Sequence, residues 1–253
     1  MQPTILGKTA VVFGAAGGIG VSVARKLHAD GFSLALADRD SVKLDAIGNE
    51  LRGSSAGQTV FSSPVEATVE ESVQAFANAV VEQLGTPDVL VSLTGIQGRT
   101  APIWELDAEE WNELFAANVN SVHLLCRAFL EKMVSAKRGT VILMSSQRGK
   151  DGVPGLAHYA GSKGAIIAIG KSLAKELAPS GLAVHTVTPG PIEAGMGAGQ
   201  GAPSPEVIAK LNIPMGRFGT PDEVAELVSV LASGRLSFST GYTWDMSGGK
   251  AVS

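Results

Sequence analysis

Five short apolar runs, "TAVVFG", "SLALAD", "DVLVSL", "GTVILMSS" and "LAVHTVTP", recur along the chain with segments of helical period between them. Near-continuous apolar runs mark strands buried on both faces, and strands that alternate with helices are joined by crossovers. The pattern therefore confines the chain to a parallel, doubly wound sheet covered by helices on both sides. Apolar spacing and stop signals place the helices at Gly18 to Asp30, Ser41 to Arg52, Val69 to Leu84, Ala108 to Val134, Ala157 to Ala178 and Pro221 to Ala232. Gly31, Gly53, Gly85, Gly139 and Gly181 stand where each helix turns back, and left-handed caps account for them.

Composition narrows the function classes. A chain of 253 residues with 45% apolar residues and a net charge of -4 is compact, and it offers phosphate polymers no basic surface. The single cysteine, Cys126, excludes an internal disulfide and reads as a small buried apolar side chain. The four histidines form no ligand cluster, so no metal is expected. No apolar run reaches membrane-spanning length, and the start "MQPTILGKTAVVFG" lacks a basic n-region, so a cytoplasmic location is expected. Residues 1–253 read as one domain, in which the Gly-, Pro- and Ser-rich stretch 190–214 reads as a mobile substrate lid.

The first strand runs into "FGAAGGIG", and a helix follows at once. In that context Gly14 permits a tight turn, Gly18 lets the backbone approach a diphosphate, and Gly20 packs helix on strand, with the phosphates at the helix N-terminus. Asp38 ends the second strand about 20 residues on, where a carboxylate accepts hydrogen bonds from ribose hydroxyls and repels a 2′-phosphate. NAD is expected over NADP, with Arg39 as the counterargument, because an arginine there can pair with that phosphate.

Tyr159 and Lys163 in "AHYAGSKGA" are four residues apart and share a helix face. A positive charge about 4 Å from a phenol is worth roughly 4 kcal/mol at an effective dielectric near 20, which would bring Tyr159 toward neutral pH as a general acid–base. The small residues around the pair, Ala157, Ala160, Gly161, Ser162 and Gly164, would leave room for something large to lie against that face.

These motifs together resemble those of the classical short-chain dehydrogenase/reductase family over nearly the whole chain. The family's glycine motif falls on Phe13, Gly14, Gly18 and Gly20, with Phe13 replacing a threonine; its Y-x-x-x-K falls on Tyr159 and Lys163; its serine falls on Ser146, its asparagine on Asn118, and its P-G on Pro189 and Gly190. The resemblance implies a Rossmann-type sheet of about seven strands and a direct hydride transfer, with Tyr159 as acid–base. It further implies that Lys163 lowers the phenol's pKa and binds the nicotinamide ribose, that Ser146 holds the substrate oxygen, and that Asn118 anchors a relay water. Ile19, Glu66, Gly95 and Ile192 join the implied cofactor contacts, with Glu66 against the adenine and Gly95 allowing close approach on the adenosine side. The tail from Gly216 resembles the family's last strand and tetramer interface, implying a homotetramer.

Three positions depart from the family pattern. "SLTG", Ser92 to Gly95, replaces N-N-A-G, with Ser92 or Thr94 left to supply part of the lost bonding; the adenine acid aligns on Glu66; and Ala194 replaces a threonine expected to bind the carboxamide. Gln97, Arg99, Gln147, Arg148, His158, Glu193 and, in the lid, Met196 form the expected substrate wall, whose polarity favours a small hydroxylated or anionic substrate such as a sugar-derived alcohol or a hydroxy acid. The rival readings are an NADP-dependent 3-oxoacyl carrier-protein reductase and a noncatalytic NAD-binding protein. A serine hydrolase lacks its G-x-S-x-G elbow here.

Overall fold

Side-chain alternation along the strands builds two cores, one on each face of the sheet. In the computed structural model, which describes residues 7–193, 206–207 and 211–251, β1 (Thr9–Phe13) points Ala10 and Val12 to one face and Val11 and Phe13 to the other. β2 (Ser33–Asp38), β4 (Val89–Ser92) and β5 (Gly139–Met144) divide in the same way. The first core packs α1 (Gly18–Ala29), α2 (Ser41–Gly53) and α8 (Pro221–Ala232); the second packs α3 (Glu70–Leu84), α5 (Ser121–Ala136) and α7 (Ala157–Leu177).

Seven strands pair in the order β3-β2-β1-β4-β5-β6-β7, all parallel. The remaining three are β3 (Val60–Pro64), β6 (Leu182–Pro189) and β7 (Thr243–Met246). β3 lies at an edge and buries only Val60 fully, so "VFSSP" lacks the apolar run that marks the central strands. The chain builds β1 to β3 outward on one side and then returns to place β4 on the other side of β1. A crevice opens at that switch point, beyond the carboxyl ends of β1 and β4.

Two of the expected glycine caps are corrected. α5 ends on a left-handed Lys137 (φ 53°), and Gly139 instead opens β5; Gly53 is the last residue of α2 and Ser54 caps it. The expected helix from Ala108 to Val134 is interrupted. α4 (Ala108–Phe115) passes into a π turn, Ala116–Asn120, before α5 begins. No helix among the described residues is long and apolar enough to cross a membrane. Among them, no cluster of three His, Cys, Asp or Glu could hold a metal. Ala194, Met196 and most of the expected lid lie outside the described residues.

Candidate active site

The crevice is a cleft of about 540 Å³. At one end it is made of backbone. Gly14, at φ +83°, turns the chain out of β1, and any Cβ there would lie 3.0 Å from the Leu93 carbonyl carbon of the β4 loop. A Cβ on Gly20 would sit 2.0 Å from the Gly14 carbonyl oxygen, so only glycine lets α1 begin this close to the turn. α1 follows its N-cap Gly17 with no side-chain cap and no acidic residue in its first turn, leaving its positive end facing the cleft. Asp38 forms the wall beside it. One carboxylate oxygen accepts from the Ala16 N–H (3.0 Å) and the other from the Asp40 N–H (3.1 Å), so the acid braces the glycine turn and keeps lone pairs for a ligand. Arg39 and Glu66 also line this end; the Glu66 carboxylate accepts from the Thr68 amide (3.2 Å) and hydroxyl (2.8 Å). Phe13, in place of the family's threonine, meets Phe76 of α3 edge-on at 5.4 Å.

The other end is made of buried side chains. Tyr159 and Lys163 sit on the first turns of α7, both buried, and both line the cleft with Ser146 and Arg148. The Lys163 ammonium donates to the Met144 carbonyl (3.1 Å) and lies 5.9 Å from the centre of the tyrosine ring. Complete burial pulls its pKa down to about 8. Burial also pushes the Tyr159 phenol above its usual value, against a hydrogen bond from Ser146 and the charge of Arg148. The expected lowering of the phenol by Lys163 is not seen: desolvation outweighs the charge of Arg148, and the ammonium is turned to a backbone carbonyl.

Asn118 is fully buried in the π turn, whose extra residue re-aims its side chain. Its Oδ1 accepts from the Ile96 N–H (2.7 Å), and its amide donates to the Ile96 carbonyl (2.9 Å) and to Ser162 Oγ (2.9 Å). Through these bonds the side chain clamps the β4 loop to α7. Gly95 faces the same cluster, since its Cβ would come within 2.9 Å of Asn118 Oδ1 and 3.1 Å of Lys163 Nζ. Gly95 itself lines the cleft. Thr94 shares a hydrogen bond with Ser121 (3.2 Å), tying the β4 loop to α5.

The small residues around Tyr159 serve packing. A Cβ on Gly149, in the short helix α6 (Arg148–Asp151), would strike the Lys163 carbonyl carbon at 2.6 Å, and one on Gly164 would lie 3.3 Å from the Gly149 carbonyl oxygen. Gly161 faces the Phe115 ring, and Ser162 bonds Asn118. They admit α6 and the π turn; only Tyr159 and Lys163 of this stretch line the cleft.

Three members of the expected substrate wall lie elsewhere. Arg99 forms a two-bonded pair with Glu110 (2.7 and 2.9 Å) and donates to the Glu105 carbonyl, on the outside of the molecule. His158, next to the tyrosine, is buried against Gly98 and Leu114 with neither ring nitrogen hydrogen-bonded, and burial lowers its pKa. Glu193 is exposed, and its N–H donates to the Gly219 carbonyl. None of the three lines the cleft, whereas Gln97, Gln147, Pro189, Gly190 and Ile192 do. Sequence reasoning missed Ser145, whose hydroxyl donates to the Lys163 carbonyl (2.7 Å), and the wall residues Leu211 and Phe218. The second serine of "MSSQ" was the available signal for the first; nothing local marks the other two.

A family model described as "Enoyl-(Acyl carrier protein) reductase" matches residues 14–251. The chain is 33% identical over 243 residues to the 3-oxoacyl-acyl-carrier-protein reductase FabG of Rickettsia bellii (strain RML369-C), covering 96% of each chain. It is 32% identical over 246 residues to the 2-dehydro-3-deoxy-L-rhamnonate dehydrogenase (NAD(+)) of Sphingomonas sp. (strain SKA58), covering 97% of this chain and 96% of that one. Among solved structures, an NAD+-bound xylitol dehydrogenase superposes with a TM-score of 0.88 at 28% identity, covering 97% of this chain and 99% of that one. With these likenesses spanning the sheet, the glycine turn and the buried tyrosine and lysine, the chain belongs to the classical short-chain dehydrogenase/reductase family, oxidoreductases acting on CH–OH groups with a nicotinamide cofactor.

Proposed function

We propose that the chain interconverts a small polar secondary alcohol and its ketone, or a lactol and its lactone, with NAD as cofactor. The observation that carries this reading is the pairing of two ends in one cleft: an uncapped helix N-terminus beside Asp38, and a buried Tyr159–Lys163 turn with Ser146. Gly14, Gly18, Ile19 and Gly20 would hold the diphosphate, Asp38 and Arg39 the adenosine ribose, Glu66 the adenine, Gly95 would allow close approach on the adenosine side, and Pro189, Gly190 and Ile192 would hold the nicotinamide side. The nicotinamide, when bound, supplies the hydride donor or acceptor. Ser146 holds the substrate oxygen, and Tyr159 gives or takes its proton. Lys163 moves that proton onward and reaches the ribose, while Asn118 anchors a water that continues the relay and holds the β4 loop against α7. The working form is a cytoplasmic homotetramer.

Arg39 supports a second reading. It is exposed at the cleft wall with no hydrogen bond or ion pair among the described residues, and an arginine so placed can take a 2′-phosphate. An NADP-dependent 3-oxoacyl carrier-protein reductase is the activity it would serve. Screening polyols, aldoses and hydroxy acids with NAD and with NADP separates the two: the NAD reading expects at least tenfold higher kcat/KM with NAD, and a preference for NADP overturns it.

A further inference from the structure

The charges lining the cleft are unevenly placed. Both carboxylates, Asp38 and Glu66, stand at the glycine-turn end together with Arg39; the reaction end holds two cations, Lys163 and Arg148, and no acid. Lys163 is committed to the Met144 carbonyl and to the tyrosine. Arg148 has no carboxylate within salt-bridge distance among the described residues. A half-buried guanidinium without an anion pays part of its desolvation unrecovered, which is the situation a ligand anion reverses.

Its setting is directional. The Arg148 backbone N–H donates to Ser146 Oγ (3.2 Å), which fixes the residue beside the expected oxygen-binding serine. Nη1 donates to Gln97 Oε1 (3.1 Å), a bond across the cleft from α6 to the β4 loop. That bond occupies one edge of the guanidinium, and the Nε–Nη2 edge, which has no partner among the described residues, suits a planar, two-oxygen acceptor. Arg99 shows the contrast, since Glu110 takes both oxygens' worth of its fork.

We propose that Arg148, aimed by Gln97, is the receptor for a carboxylate on the substrate, so that the enzyme acts on small hydroxy acids and their keto acids in preference to neutral polyols. This rests on the secondary-alcohol reading of the same cleft. The carboxylate is unchanged in the reaction: the carbinol carbon loses its C–H electron pair as hydride to the nicotinamide and the carbinol oxygen loses its proton to Tyr159, yielding the keto acid and reduced cofactor.

Matched probes test it: threonate against threitol and xylonate against xylitol, each pair differing by one terminal carboxylate. The acids are expected to show at least tenfold higher kcat/KM than the polyols. In Arg148→Met that ratio is expected to fall to about one, Arg148→Lys is expected to recover part of it, and NADH affinity, read by fluorescence titration, is expected to stay within twofold. Polyols that match or exceed the acids in the wild type overturn the proposal, and so does a large loss of NADH affinity in Arg148→Met, which would assign the arginine to the cofactor. Should neither member of a pair turn over, the secondary-alcohol reading fails for these compounds, and binding decides separately. Calorimetry of threonate and threitol into NADH-loaded Tyr159→Phe enzyme supports the arginine's role if the acid binds tenfold more tightly, and overturns it if the two bind alike.

Discussion

The two ends of the cleft are built by opposite means. At the nucleotide end, backbone lies so close to backbone that a side chain must be missing, as at Gly14 and Gly20. At the reaction end, four segments far apart in the chain bring hydrogen-bonded side chains together: the β4 loop, the π turn, the loop after β5 and the start of α7. A missing side chain leaves a mark in the sequence at the place where it matters. The direction of a present one is decided by neighbours that the local sequence does not reveal.

The comparison predicts that the nucleotide end breaks first. Gly20→Ala puts a Cβ into the Gly14 carbonyl oxygen, with backbone rather than a flexible side chain in the way. The expected result is a loss of NADH affinity exceeding a hundredfold and a destabilisation of about 3 kcal/mol or more, read by fluorescence titration and urea unfolding. Near-normal NADH binding would show that the turn has slack that the geometry denies.

The reaction end is expected to respond to pH. Lys163 titrates near 8 when folded, below the roughly 10.4 of an unfolded lysine. Between those values the unfolded chain holds a proton that the folded chain has released, so stability rises with pH there, and the contribution is lost as pH falls through about 8. The full span is of the order of 3 kcal/mol at this completely buried position. Urea unfolding of the cofactor-free wild type and Lys163→Met should diverge in the wild type's favour from pH 8 to 10. A pH-independent difference would mean that the lysine is not desolvated.

The smallest effect belongs to Arg99. Paired with Glu110 on the outer surface, it should leave substrate KM and NADH affinity within twofold when replaced by alanine. A tenfold rise in KM would return it to the substrate wall.

Arg99 and Arg148 also show where sequence reading stops. Both stand in polar loops after apolar strands and look equivalent in the chain; what separates them is Glu110, carried eleven positions beyond Arg99 on a helix that swings it back. The small residues around Tyr159 were legible as a need for space, but the space is filled by Gly149 and Phe115, from other elements. The sheet, most of its helices and the glycine turn were legible because each rests on local periodicity and glycine. β3 escaped because an edge strand buries little, and the π turn escaped because it shares the apolar pattern of the helices on either side.

The central claim is that one cleft binds a nicotinamide cofactor at its backbone end and transfers a proton through Tyr159 at the other. Tyr159→Phe removes only the phenolic oxygen from a buried ring, so its NADH dissociation constant and its turnover, measured on the same preparation, test that division directly. The account predicts an unchanged dissociation constant with turnover reduced by about 10²-fold or more. Turnover retained within a few-fold would contradict it.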